Sequence, residues 1–497
     1  MRDRLSQPPH QALVEHVFAP ALEQDAADNF ENLMRVNTVQ VLLLERSGDV
    51  VREHARELLS LFDKMQRDGA SALELDPNLE DLYFNTERHV TRQLGPEIGG
   101  RMHTGRSRND LNATTARMGI RATVLDLADN ALDLRASLLG QASRHAETVM
   151  TGYTHLQPAQ PITFGFYLSA VADALERDTA RLLISYERIN QSPLGAGALA
   201  GTGFALDRDR AAKLLGFSGI VENALDAVAS RDYALEVMAA LAILTITISR
   251  LAHDLYVWAS YESGMVELAD EVSLVSSIMP QKKNAITLEH CKAKAAQVIG
   301  ALVAAMAATK GVPMTNVRDV NREAMHPIRE AVREAAAAMQ LMRITVDTLS
   351  VRSDHMLHQA QANFSTVTEL ADLLVREGGL PFRSAHRVVA MVVSDAIAAN
   401  RSASEIDIDA VQRAAQSVTG TSVPVDGDAL RAALDATLSV GRKRTSGSTN
   451  PNEVRRMVER ALRMVERDRE TIAASRHRVA QADMDLEAEV AEVLVGG

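Results

Sequence analysis

Four stretches of this chain keep a helical apolar period far longer than the helices of ordinary globular proteins: residues 113–148, 162–190, 226–264 and 285–309. An average helix has about 11 residues, and one several times longer cannot wrap a small spherical core. Such helices bury their apolar faces economically only side by side, as a near-parallel bundle. The composition suits that geometry. Of 497 residues, 46% are hydrophobic but only 4% aromatic, with Trp258 the single tryptophan, so the helices meet through small and aliphatic side chains. Ala, Leu, Arg and Glu, which lose least on entering a helix, are abundant. The expected fold class is all-α.

Residues 239–255 are apolar around more than one stripe, which predicts burial on several sides and hence subunit association, a homo-oligomer built on a central bundle. Pattern changes divide the chain into an N-terminal helical domain over 1–112, a central long-helix bundle over 113–362 and a C-terminal helical domain over 363–497. In the last, helices shorten and turn signals return at Gly378, Gly379, Pro381 and Gly420. The final 30 residues, rich in charge, are expected to form a solvated helix.

Several functions drop out. A net charge of −12 disfavours a nucleic-acid surface. The lone Cys291 can make neither an intrachain disulfide nor a multi-cysteine metal site, and reads as a small buried hydrophobe. The first residues lack the apolar core of a signal peptide, and the apolar run 239–248 is shorter than the roughly 20 residues needed to span a bilayer. A cytoplasmic protein without membrane contact is expected. Neither an HExxH zinc pattern nor a Gly-x-Ser-x-Gly elbow occurs, and no metal or cofactor is expected.

Three polar segments between the long helices carry more chemistry than a bundle loop requires. Residues 100–110, GRMHTGRSRND, alternate guanidinium groups, hydroxyls and an amide around a glycine, a loop able to fork onto carboxylates. A plain polar loop with Asn109 or Asp110 capping the next helix would explain one or two of these residues. Residues 151–161, GYTHLQPAQ within TGYTHLQPAQP, form a turn entering the following helix, and His155 is the one side chain there that titrates near neutrality. Residues 276–284, SSIMPQKKN, place two serines before two lysines. Serine is a poor base unless nearby cations such as Lys282 and Lys283 stabilise its alkoxide.

Together the three segments resemble those of the fumarase and aspartase superfamily, and in detail its argininosuccinate lyase branch. The resemblance extends to Pro193 through Gly201, to Asp226 through Asp232 and, more weakly, to Gly447 through Pro451. It implies a homotetramer whose long helices form a central bundle of twenty, with each active site assembled from loops of three subunits. It also implies β-elimination, in which a base removes the proton next to one carboxylate of an N-substituted aspartate. An aci-carboxylate forms, the C–N bond breaks, and fumarate and an amine leave. By the same resemblance Ser277 is the base on a mobile loop, beside Ser276 and Met279. Lys283 and Asn284 steady the dianionic intermediate, and His155 is a candidate acid to the leaving nitrogen. Ser107, Arg108, Asn109, Thr154 and Gln157 hold the succinyl carboxylates.

The departures from that family concern the amine. Argininosuccinate lyases usually follow Lys-Lys-Asn with Pro-Asp, where this chain has Ala285-Ile286, and later carry a Tyr, a Gln and a Lys, where it has Asn316, Asn321 and Ala324. Loss of polar partners for a buried charged ligand costs on the order of 2 kcal/mol each, so arginine is expected to fit badly. A glycine common before the two serines is Val275, which stiffens the loop, and a glutamine common after Asn-Asp is Leu111. The expectation is a lyase joining fumarate to an amine other than arginine, as a relative acting on ethylenediamine disuccinate does. The alternatives are argininosuccinate lyase itself and a non-catalytic, crystallin-like structural protein, which the intact Ser277, Lys283, Asn284 and His155 argue against.

Overall fold

The four long periodic stretches become α1 (Arg108–Arg144), α2 (Phe164–Ile189), α3 (Asp232–Trp258) and α4 (Ile286–Thr309), and a fifth long helix, α5 (His326–Thr348), joins them. They pack against one another as a bundle. This computed structural model describes residues 4–495, and apart from short two-stranded ladders it is helical. The bundle core is aliphatic: Leu127, Leu134 and Leu138 of α1, Leu168 and Leu175 of α2, Leu241 and Ile248 of α3, Val298 of α4 and Met339 of α5 are all buried. Two further clusters stand apart. One joins Met34, Leu58 and Phe62 of the N-terminal helices, and the other joins Leu374, Val388, Val411 and Leu430 beyond the bundle.

The charged end of the chain is helical as expected but seats one face on the rest of the protein. It belongs to a 45-residue helix, α6 (Pro451–Val495), packed along α1 and α2. Val454, Val458, Ala461, Val465 and Ile472 enter the bundle core, while Leu486 and Val493 join the N-terminal cluster. Apolar residues three or four apart were enough to make a buried stripe, although charges outnumber them.

The apolar run in α3 also proves longer than expected. By length and composition α3 and α4 are each apolar enough to cross a membrane, yet both lie in the bundle. Their outer faces keep Ile243, Ile246, Ile299, Val303 and Met306 uncovered, with Val303 60% exposed. Contiguous apolar patches of this kind mark surfaces of interaction more often than plain solvated faces.

Residues 151–161 are not a simple turn. Strands β1 (Val149–Thr154) and β2 (Gln157–Thr163) form an antiparallel hairpin between α1 and α2. Alternating Val, Tyr and Thr favour extension there, and Pro158 and Pro161 forbid a helix start. A register shift between Thr151 and Tyr153 makes a bulge at Gly152, where a Cβ would lie 2.8 Å from the Gln160 carbonyl oxygen. The hairpin is fixed to the bundle by close backbone approach. A Cβ on Gly165, at the start of α2, would lie 2.3 Å from the Ala142 carbonyl oxygen and 2.8 Å from the Ala146 nitrogen. Neither neighbour can move without displacing the end of α1. Gly165→Ala is therefore expected to destabilise the protein by about 3 kcal/mol, measurable as a lower urea midpoint with an unchanged slope.

Candidate active site

Ser107, Arg108 and Asn109 occupy the first turn of α1 and the position just before it. Ser107 caps the helix: its Oγ accepts the Asn109 amide at 3.2 Å, and Asp110 Oδ1 accepts the Ser107 amide at 3.0 Å. The positive end of a 37-residue helix thus points out beside them, a place where carboxylates bind favourably. Arg108 is already engaged within the chain. Its Nη1 lies 2.9 Å from Asp81 Oδ2 and 3.1 Å from Glu80 Oε2, and its guanidinium stacks 4.0 Å above the Phe84 ring. Asp81 and Glu80 were not singled out from the sequence, since only the fold brings them here.

Asp110, considered above only as a cap, does more. It is fully buried, and its Oδ2 accepts the amides of Gly195 and Gly197 at 3.1 and 3.0 Å, pinning the glycine-rich loop to the helix start. Burial pushes its pKa up to about 6, while those amides and Arg106 pull it down. On that pinned loop the Ala198 carbonyl accepts Asn109 Nδ2 at 2.9 Å. Asn109 Oδ1 in turn accepts Asn316 Nδ2 at 2.7 Å, and Asn316 Oδ1 accepts Asn321 Nδ2 at 2.8 Å. Of the two asparagines expected on the amine side, Asn316 therefore touches one expected on the succinyl side, and Asn321 reaches it through Asn316.

The other segments lie at the opposite end of the bundle. A helix of 37 residues rising about 1.5 Å per residue puts the hairpin about 55 Å from Ser107. A six-residue strand folded straight back would recover only about 20 Å of that. His155 and Leu156 form the two-residue tip between the paired Thr154 and Gln157, with φ of 54° and 59°. Both are left-handed, the geometry that tight hairpins normally give to Asn-Gly. Holding two side chains there costs on the order of 1 kcal/mol or more each, and such strain clusters at functional positions. Tip residues 153–157 are exposed, Leu156 by 72%. The hairpin's base is held by residues the sequence only hinted at: Thr449 Oγ1 accepts the Thr163 amide at 2.9 Å, and Asn363 Nδ2 donates to Thr151 Oγ1 at 2.8 Å.

The serine loop shares that end. Strands β3 (Leu274–Val275) and β4 (Lys283–Asn284) pair and close it. Ser276 Oγ accepts the amides of Ile278 and Met279 at 3.3 and 3.0 Å, a local turn that leaves Ser277 at the exposed crest. Ile278 is 82% exposed, and Val275 78%. Lys283 Nζ lies 2.8 Å from Asp270 Oδ1 and 3.5 Å from Glu267 Oε1, and its hydrogen bond to Asp270 raises its pKa. It stays an ammonium, fit to meet an anion and unfit to act as a base. Ile286 opens α4, whose 24 residues set it about 36 Å from the end that leads to Asn316. Among the described residues, no group of three or more His, Cys, Asp or Glu side chains could hold a metal.

Comparison with known proteins gives the family and the fold. Residues 34–300 match the lyase family model, and residues 364–440 match the argininosuccinate lyase C-terminal model. Argininosuccinate lyase 1 of Shouchella clausii is 42% identical over 483 residues, covering 97% of each chain. The argininosuccinate lyase of Methanocaldococcus jannaschii is 38% identical over 86% of this chain and 87% of its own. Among solved structures, EDDS lyase in complex with formate superposes with a TM-score of 0.88 at 32% identity, covering 99% of this chain and 97% of that one. An EDDS lyase variant with bound fumarate gives the same TM-score and identity. The 3-carboxy-cis,cis-muconate lactonizing enzyme of Pseudomonas putida, at 18% identity and a TM-score of 0.68, shares the fold.

The protein is a carbon–nitrogen lyase of the fumarase and aspartase superfamily, and its reaction releases fumarate. Within that superfamily the chain belongs to the argininosuccinate lyase branch, over nearly its whole length.

Asp110 is where the local geometry makes the sharpest demand. In Asp110→Asn an amide nitrogen would face the amides of Gly195 and Gly197, or the cap would be lost instead. Two buried donors left unmet cost about 2 kcal/mol or more. Thermal unfolding at pH 8 is expected to show that loss, with hydrogen exchange rising in residues 195–201.

Proposed function

We propose that this enzyme reversibly adds fumarate to an amine other than arginine, giving an N-substituted L-aspartate. The observation that carries the reading is a split. The loop from Ser276 to Asn284 keeps the serine, lysine and asparagine that the resemblance assigns to the chemistry, while the amine-side positions hold Ile286, Asn316, Asn321 and Ala324. Ala324 is buried and apolar where the family places a cation. The EDDS lyase variant with bound fumarate is titled for the replacement of an aspartate and a tyrosine, thirty positions apart, by methionine. Ile286 and Asn316 have the same separation here, and both lack the side chains replaced there.

In this reading Ser277 Oγ takes the proton from the carbon beside one carboxylate, and the electron pair moves into that carboxylate as an aci-carboxylate. Lys283 and Asn284 meet the added charge. The electrons then return to form the fumarate double bond as the C–N bond breaks, and His155 gives a proton to the leaving nitrogen. Fixed donors aimed at developing charge are the largest contributors in such steps. Ser107, Asn109, Thr154 and Gln157, with Arg108 beside its carboxylate partners, would hold the succinyl group.

Because about 55 Å of helix separates Asn109 from the His155 hairpin, the site is proposed to draw its parts from different copies in a homotetramer, with the bare ridges of α3 and α4 as contact surfaces. Refolding Ser277→Ala together with Asn109→Ala is then expected to restore part of the activity that each variant lacks alone. A mixture as inactive as its components would refute shared sites.

A second reading, argininosuccinate lyase itself, has the 42% identity of the Shouchella clausii protein in its favour. Purified protein given argininosuccinate separates the two: slow or absent fumarate release, followed by ultraviolet absorbance, is expected. Release at the rate of a metabolic lyase would overturn the first reading. On whichever substrate turns over, Ser277→Ala is expected to lower kcat about a thousandfold.

A further inference from the structure

The hairpin between α1 and α2 is built on two registers that do not match. At its base Val149, Met150 and Thr151 pair with Thr163, Ile162 and Pro161, and toward its tip Tyr153 and Thr154 pair with Pro158 and Gln157. The registers differ by one residue, so Ala159 and Gln160 of β2 stand opposite Gly152 alone. The ladder itself is poorly equipped to hold this mismatch in place. Pro158 and Pro161, one on each side of the bulge, have no N–H to give it. If the mismatch moved one step toward the base, Thr151 would pair with Gln160 instead of Pro161, and the hairpin would bend at a different point.

Two side chains from the C-terminal part of the chain hold the base register from outside. Thr449 Oγ1 accepts the Thr163 amide at 2.9 Å on β2, and Asn363 Nδ2 donates to Thr151 Oγ1 at 2.8 Å on β1. On the bundle side the Phe164 amide donates to the Thr148 carbonyl at 2.8 Å and extends the same register. Of these contacts, Asn363 grips the last base pair before the bulge. Its amide cannot turn round, because Oδ1 accepts the Ser365 amide at 2.9 Å and so leaves Nδ2 facing Thr151. Thr151 is fully buried, and two residues before it Val149 packs with Ala360, Ala436 and Val440. The grip lies four residues from His155, about 13 Å along an extended strand.

We propose that Asn363 is a positioning residue: by holding Thr151 it fixes where the hairpin bends, and so sets Thr154, His155 and Gln157 in one pose. This rests on the reading in which His155 gives a proton to the leaving nitrogen while Thr154 and Gln157 hold the succinyl group. A bulge re-aims the strand beyond it, and a one-residue change of register turns side chains to the opposite face. The left-handed pair at His155 and Leu156 needs such support, since backbone strain persists only where its surroundings over-determine it. The C-terminal part of the chain thereby acts on the chemistry through another element.

The test compares Thr151→Val, Asn363→Leu, the two combined, and Thr151→Ser, which keeps the hydroxyl. Turnover is followed by the ultraviolet absorbance of fumarate, with argininosuccinate and with fumarate plus methylamine, ethanolamine or ethylenediamine, at a temperature where each variant is folded. On whichever of these the wild-type enzyme acts, kcat is expected to fall about ten- to a hundredfold in each apolar variant and to stay within about threefold in Thr151→Ser. Either apolar variant suffices should the other fold poorly. The combined variant is expected to be no slower than the slower single one, because both substitutions remove the same contact. A contact that only stabilises the fold would lower the unfolding temperature and leave kcat in place. Wild-type kcat in a folded apolar variant, losses that multiply in the combined one, or a serine variant as slow as the valine one overturns the proposal. If none of these substrates turns over in the wild type, the parent reading loses its support, and amide hydrogen exchange in residues 151–161 decides whether Asn363 holds the register. Faster exchange in the apolar variants but not in Thr151→Ser upholds that role, and unchanged exchange overturns it.

Discussion

The rise of an α-helix is fixed by its hydrogen bonds, and in this protein that constraint governs everything else. Once α1 extends for 37 residues, the polar groups at its two ends cannot meet within one chain. Nature could have kept the chemistry together by shortening the helix, but then the aliphatic core would lose the length that makes it stable. The fold keeps the length and separates its polar segments, with Ser107, Arg108 and Asn109 at the start of α1 and the strained hairpin and serine loop at the other end. Bare apolar ridges on α3 and α4 belong to the same solution, for they are the surfaces a lone chain leaves uncovered.

Each cluster of site residues rests on backbone geometry more than on side-chain packing. The start of α1 is tied to the glycine loop by four amides converging on Asp110, from Ser107, Leu111, Gly195 and Gly197. The hairpin is seated by the contact of Gly165 with the last turn of α1, and its tip holds His155 and Leu156 in left-handed backbone that neither residue favours. The serine loop is closed by one pair of short strands. Rigid anchorage at the base with exposure at the crest is the arrangement expected of parts that must fit against something outside their own chain.

Much of this was legible in the residues. Helical periodicity located four of the five long helices, because their apolar faces are broad, but did not mark out α5, and the loops stood out because polar density there exceeds what capping needs. What stayed hidden was non-local. The roles of Asp110, Asp81 and Thr449 depend on partners 27 to 286 residues away, and no spacing rule reports such pairs. The hairpin was missed because its six- and seven-residue strands interrupt stronger helical signals on both sides. The seating of the last helix also stayed hidden, because a narrow apolar stripe lies among many charges.

The amide chain that ends at Asn321 takes its sense from the Ala198 carbonyl, and that gives it an evolutionary asymmetry. A main-chain oxygen is present whatever residue occupies position 198, so no point substitution can reverse the orientation of the amides that depend on it. Their inner members are constrained from both sides, whereas the outermost answers only to what it faces. Substitution is therefore expected to be tolerated more readily at the outer end than at the inner, whose amides answer to the backbone on one side and to a neighbour on the other.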